Sequence, residues 1–153
     1  MIKILAVIIL VLFSTSAIGE EITDWDRFDL FHNCKPVSLG IGLSKKDTTI
    51  DISEEDIGIA VRSRLRSAGL YNEQELEAPN LFVTVYILES ASYIEFALIQ
   101  ILGNPITNER GAAVTWSNDT ILTNADDSYI LQKVSQGTDR FIDEYLRVNV
   151  ESC

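Results

Sequence analysis

Basic side chains are scarce in this 153-residue chain: 12 Lys and Arg stand against 23 Asp and Glu, a formal charge of −11. That balance excludes a nucleic-acid binder of the usual basic kind, which needs cations to displace phosphate counterions. There is one histidine, His32, so no cluster of imidazoles can hold a metal, and any Ser-His-Asp or Cys-His nucleophile would have to use that single ring. Two cysteines are too few for a thiolate zinc centre. There is no phosphate-cradling Gly-rich loop, no His-Glu-x-x-His and no calcium loop of alternating acids. The longest apolar run, Ile4 to Phe13, falls well short of the roughly 20 residues that span a bilayer. These absences leave no cofactor to expect and no stable membrane span.

What is present begins with an export signal. Lys3 supplies a positive start, Ile4 to Phe13 the apolar stretch, and Ser14-Thr15-Ser16-Ala17-Ile18-Gly19 the small residues before a cut ahead of Glu20. Residues 1–19 are therefore expected to be a signal peptide, with the product secreted or periplasmic. No cysteine follows the apolar run, which speaks against a lipid anchor. Cleavage removes Lys3 and no acid, leaving 11 basic against 23 acidic residues, a charge of −12. Such a charge favours solubility and repels nucleic acid and anionic membranes.

Residues 20–33 form an N-terminal arm that mixes acids with Trp25, Phe28 and Phe31. It reads either as a short helical turn against the body or as a docking arm. Residues 34–153 read as one α+β domain. Val37, Leu39, Ile41 and Leu43 alternate with Ser38, Gly40, Gly42 and Ser44, the period of a half-buried strand. Ser53 followed by Glu54, Glu55 and Asp56 starts a helix whose apolar stripe is Ile57, Ala60, Val61, Leu65 and Ala68, with Gly69 to end it. After a loop holding Glu73, Glu75, Glu77 and Pro79, Leu81–Leu88 and Tyr93–Leu102 read as an antiparallel hairpin that Gly103-Asn104-Pro105 ends. Ala112–Ser117 is a further strand, with Ile121-Leu122 as its continuation. Asp126-Asp127 opens a last helix with Ile130, Val134, Phe141, Tyr145 and Val148 inside. The expected order is β-α-β-β-β-α, a four-stranded, largely antiparallel sheet with two helices on one face.

Alternating element directions place the start of the first strand and the end of the last helix at one pole. Cys34 and Cys153 flank those two points, so a Cys34–Cys153 disulfide is expected in an exported chain. A thiolate at Cys34 paired with His32, two residues away, is the reactive alternative, and oxidation of Cys34 would silence it. The carboxylate groups Glu54-Glu55-Asp56 and Asp126-Asp127 stand where helix N-termini stabilise negative charge. Arg62, Arg64 and Arg66 are spread around their helix, in reach of acidic neighbours. Asn118-Asp119-Thr120 is a glycosylation sequon.

The hairpin carries one anomaly. Leu81, Val83, Val85 and Ile87 form one apolar row, but Phe82, Tyr86 and Leu88 form a second, and residues 93–99 behave alike. Helices are available for one face only. The other face is then covered by the 20–33 arm, by a second copy or by another protein, unless the strand is buried on both sides by its own chain. Phe82, Tyr86, Tyr93, Phe96 and Trp116 are the candidate contacts.

Ser63-Arg64-Leu65-Arg66-Ser67-Ala68-Gly69-Leu70-Tyr71 and Asp139-Arg140-Phe141-Ile142-Asp143-Glu144-Tyr145-Leu146-Arg147-Val148-Asn149 resemble stretches of uncharacterised small secreted or periplasmic bacterial proteins. That resemblance implies export and a compact domain, and brings no catalytic motif. In element order alone the chain is similar to envelope-assembly proteins such as the lipopolysaccharide-assembly lipoprotein and the amino-terminal domain of the Tol-system periplasmic protein. It departs from many of these in lacking a lipid-anchoring cysteine. The expectation is a non-enzymatic exported module, connected with the cell envelope, that binds another envelope protein or a second copy of itself. A small secreted hydrolase or inhibitor is the alternative, and needs a pocket with convergent carboxylates or with Arg64 and Arg66.

Overall fold

A computed structural model describes residues 21–46, 48–73 and 79–153. The expected signal peptide lies outside these residues, as do Glu75 and Glu77 of the acidic loop. The chain runs α1 (Asp24–Leu30), β1 (Ser38–Lys45), α2 (Glu54–Ser67), β2 (Asn80–Ile87), β3 (Ala91–Gly103), β4 (Arg110–Thr123) and α3 (Asp127–Asn149). Among the described residues there are three helices where the expected order has two. The extra one is α1, whose start is a capping box with Asp rather than Glu or Gln at its third position. The Thr23 hydroxyl accepts from Asp26 N–H at 3.1 Å, and the Asp26 carboxylate accepts from Thr23 N–H at 2.8 Å. Ser53 and Asp56 make the same box at α2, and Gly69, at φ 72°, follows that helix in the left-handed conformation.

The sheet has the order β1-β2-β3-β4. It is mixed: β1 and β2 pair in parallel through the α2 crossover, while β2–β3 and β3–β4 are antiparallel. β4 is one strand of 14 residues that carries Ala112–Ser117 on through Ile121-Leu122. A bulge opposite Leu98 and Ile99 lets Thr115 and Trp116 both turn toward the helices.

The helical layer covers one face. Leu81, Val83, Val85 and Ile87 of β2, with Ile94, Phe96 and Leu98 of β3, meet Ile57, Val61 and Leu65 of α2 and Ile130, Val134, Phe141 and Tyr145 of α3, all buried. Each such side chain contributes about 1.5–3 kcal/mol by leaving water. α1 joins this layer: Leu30 enters the core, and the Asp29 carbonyl accepts from Gln100 Nε2 at 3.0 Å and Thr115 Oγ1 at 2.7 Å. α1 therefore docks beside α3 on the helical side, and among the described residues no element covers the opposite sheet face.

The expected clasp is formed. Cys34 and Cys153 are disulfide-bonded with Cα atoms 5.2 Å apart. Around it, Asn149 Oδ1 accepts from the backbone N–H of His32 and Cys34, at 2.8 and 3.2 Å, and its Nδ2 donates to the carbonyls of Leu30 and Tyr145. The Tyr145 hydroxyl donates to the Lys35 carbonyl at 2.8 Å, and burial pushes that phenol well above its ordinary pKa.

Candidate functional site

Strand register determines what the uncovered face presents. Because side chains alternate along each strand, residues opposite one another across the sheet share a face. On the side away from the helices they form four rows: Ser38, Asn80, Ile99 and Val114; Gly40, Phe82, Ala97 and Ser117; Gly42, Thr84, Glu95 and Asp119; and Ser44, Tyr86, Tyr93 and Ile121. Phe82 is 36% exposed, Tyr86 45% and Ile121 71%. Tyr86 and Tyr93 lie side by side, ring centroids 6.1 Å apart. Phe82 lies over β1, where a Cβ on Gly42 would touch its Cε1 at 3.4 Å, so the two glycines leave room for a flat ring. Glu95 and Asp119 stand directly opposite each other between the two aromatic rows. The Tyr93 hydroxyl is held above its ordinary pKa by loss of water contact first, then by the charges of Glu95 and Asp119 and by Tyr86.

Of the candidate contacts, Phe82, Tyr86 and Tyr93 are together on this face; Phe96 and Trp116 are not. Phe96 is 2% exposed and fills the space left by Gly137 on α3, where an added Cβ would overlap its ring. Trp116 is 8% exposed; it stacks edge-on against Phe141 at 5.3 Å, and its Nε1 donates to Glu144 Oε2 at 2.7 Å. Both belong to the helical side because the register pairs Phe96 with Val83 and Trp116 with Leu98. Ile121 and Val114, exposed on the uncovered face, are absent from the candidate contacts because the outward row of β4 depends on the register with β3 and on the bulge before Trp116. Alternation from Asp119 to Ile121 was the available signal.

The pocket that a hydrolase or inhibitor would need takes a different form. A cavity of about 690 Å³ lies between α2 and α3, lined by Ile59, Ala60, Ser63, Arg64, Ser67, Ser135, Asp139 and Ile142. Arg64 Nη1 contacts both oxygens of Asp139, at 2.6 and 2.7 Å, so the cation there is already paired. Arg66 points elsewhere, 4.9 Å above the Tyr71 ring, and Arg62 pairs with Glu55 at 2.6 Å. Arg64 and Arg66 do not converge. The Asp56 carboxylate accepts from the hydroxyl and backbone N–H of Ser53, and Asp126 from the backbone N–H of Tyr129 and the hydroxyl of Ser128, which lowers both carboxyls. Among the described residues no group of three or more His, Cys, Asp or Glu is gathered as for a metal ion, and no helix is long and apolar enough to cross a membrane.

No protein-family model and no curated protein matches the chain. Solved structures similar to it include the following three. An uncharacterized protein is 13% identical, with 79% of this chain and 93% of that one covered and a TM-score of 0.36. The rare lipoprotein B from Shewanella oneidensis is 12% identical, with 73% and 97% covered and a TM-score of 0.29. A minor lipoprotein from Acinetobacter baumannii is 12% identical, with 76% and 87% covered and a TM-score of 0.20.

Proposed function

We propose that the protein is an exported, non-enzymatic binding module of the cell envelope that engages another polypeptide through the uncovered face of its sheet. The observation that supports this is the grouping of exposed Phe82, Tyr86 and Ile121 with half-buried Tyr93 on one sheet face, while the described helices α1, α2 and α3 all pack on the opposite side. Large apolar side chains grouped on one face mark an interaction surface more often than scattered exposed ones do. The Cys34–Cys153 disulfide and the signal-like residues 1–19 support an oxidising location outside the cytoplasm.

Photo-crosslinking in producing cells tests the reading. A crosslinkable residue in place of Tyr86 is expected to form an adduct with protein, whereas one in place of Asp143, exposed on α3, is not. No adduct from position 86, or equal adducts from both positions, overturns it.

A further inference from the structure

We infer that the occupant of the uncovered sheet face is a basic amphipathic helix, with a Lys or Arg set into its apolar stripe to meet Glu95 and Asp119. The inference rests on the reading of that face as a binding surface and adds the chemistry of its partner. Glu95 and Asp119 are directly opposite one another in the β3–β4 register. Like charges so placed destabilise a sheet. None of the ion pairs among the described residues reaches either carboxylate, and the four rows of this face contain no Lys or Arg. The two charges therefore stand without an ion-pair partner on β3 and the edge strand β4, in the row between that of Phe82 and that of Tyr86 and Tyr93.

Charge complementarity then separates the occupants. A second copy stacked face to face would bring four carboxylates into a partly dehydrated contact, which costs several kcal/mol where like charges meet. An anionic lipid surface is repelled by the same pair and by the chain's net charge. A cation flanked by apolar groups satisfies both features. The face measures roughly 20 Å by 14 Å, from rows two residues apart and strands about 4.8 Å apart. A single helix about 10–12 Å wide fits that width, and a sheet face that lacks its helical layer is the surface helices ordinarily cover.

Titration calorimetry with the disulfide-bonded protein, residues 20–153, tests this. The probes are three synthetic helical peptides with the same Leu and Trp stripe, carrying Lys, Gln or Glu at one position within it. The Lys peptide is expected to bind, the Gln peptide more weakly and the Glu peptide not at all. The double variant Glu95→Gln with Asp119→Asn should weaken the Lys peptide about tenfold. Asp143→Asn, which removes an acid on the far side, should leave it unchanged. The double variant should also melt at a higher temperature than the parent, since a repulsive pair has gone; this readout reports that the variant is folded. Equal binding of Lys and Gln peptides, or a double variant that binds the Lys peptide as the parent does, overturns the basic partner. Light scattering that shows dimers dispersed by Phe82→Ser overturns it too, in favour of a second copy, while leaving the face itself as a binding surface. Failure at position 86 in the crosslinking experiment instead removes the surface altogether.

Discussion

Asn149 holds together three pieces of chain that no regular element connects: the end of α1, the turn leading to Cys34 and the last turn of α3. It is fully buried, and all of its bonds go to backbone groups. Asn149→Ala strands two N–H donors and a carbonyl in the interior, so we expect a loss of about 3–4 kcal/mol in urea unfolding. Asn33 and Cys34, both at positive φ, sit in the turn this amide bridges. Nothing in the sequence marked Asn149 as a hub, because three of its four partners are backbone atoms more than 100 residues away and a backbone atom leaves no signature.

Gly137 is the second such residue. In the middle of a helix, alanine is ordinarily favoured over glycine by about 1 kcal/mol. Here a Cβ would overlap the Phe96 ring, so Gly137→Ala is expected to destabilise the protein by about 1–2 kcal/mol, and Phe96→Leu in the same chain to recover part of the loss. Thermal melting of the single and double variants decides whether the clash is real: a stabilised Gly137→Ala shows that the contact is looser than described. The same pair explains why Phe96 could not be assigned to a face from sequence, since the glycine that receives it lies on another element.

Among the elements, the helices were the most legible. Ser53 and Asp126 cap α2 and α3 where the sequence pointed; the α3 stripe is buried, as are Ile57, Val61 and Leu65 of α2, while Ala60 and Ala68 are half-buried. These caps predict an acid sensitivity. The Asp26 carboxyl, hydrogen-bonded by Thr23 and then by Arg147, is lowered from 3.8 to about 2. Asp56 and Asp126 shift in the same direction through their own cap bonds. A carboxyl lowered on folding adds stability above its unfolded pKa and loses it as pH falls through the folded value. The melting temperature should therefore drop as pH goes from about 4 toward about 2, and Asp26→Asn should flatten that drop. At neutral pH, Ser53→Ala should cost about 1 kcal/mol by urea unfolding, through the lost α2 cap.

The strands were legible as strands but not as faces. In β1 the alternation of apolar residues with Gly and Ser gave the side outright. In β3, Tyr93, Ala97 and Ile99 are nearly as apolar as Ile94, Phe96 and Leu98, and a period of two cannot say which row is inside. That is why the candidate surface mixed Phe82, Tyr86 and Tyr93 with Phe96, and why Trp116, whose facing depends on the bulge at Thr115, was drawn in with them.

For the molecule as a whole, the disulfide joins the turn after α1 to Cys153 beyond α3, across 119 positions. Closing a loop of that length is worth about 4–5 kcal/mol in the chain-entropy description. Cys34→Ser with Cys153→Ser, or reduction of the native protein, should lower stability by about 3–5 kcal/mol in urea unfolding. A difference below about 1 kcal/mol would mean that Asn149 and Tyr145 close the pole unaided.

The sequence by itself determined where α2, α3 and the strands lie and which two cysteines pair, because caps, periodicity and a count of two thiols are local or exhaustive signals. It also marked a second apolar row on the hairpin, without saying what covers it. Only the tertiary structure decided which surface was left over. It set α1 beside α3 rather than across the sheet, and sent Phe96 and Trp116 inward against Gly137 and Glu144. It also brought Glu95 and Asp119 face to face among the exposed aromatics. Each of these depends on register and on close approach between elements distant in sequence, which no local pattern encodes.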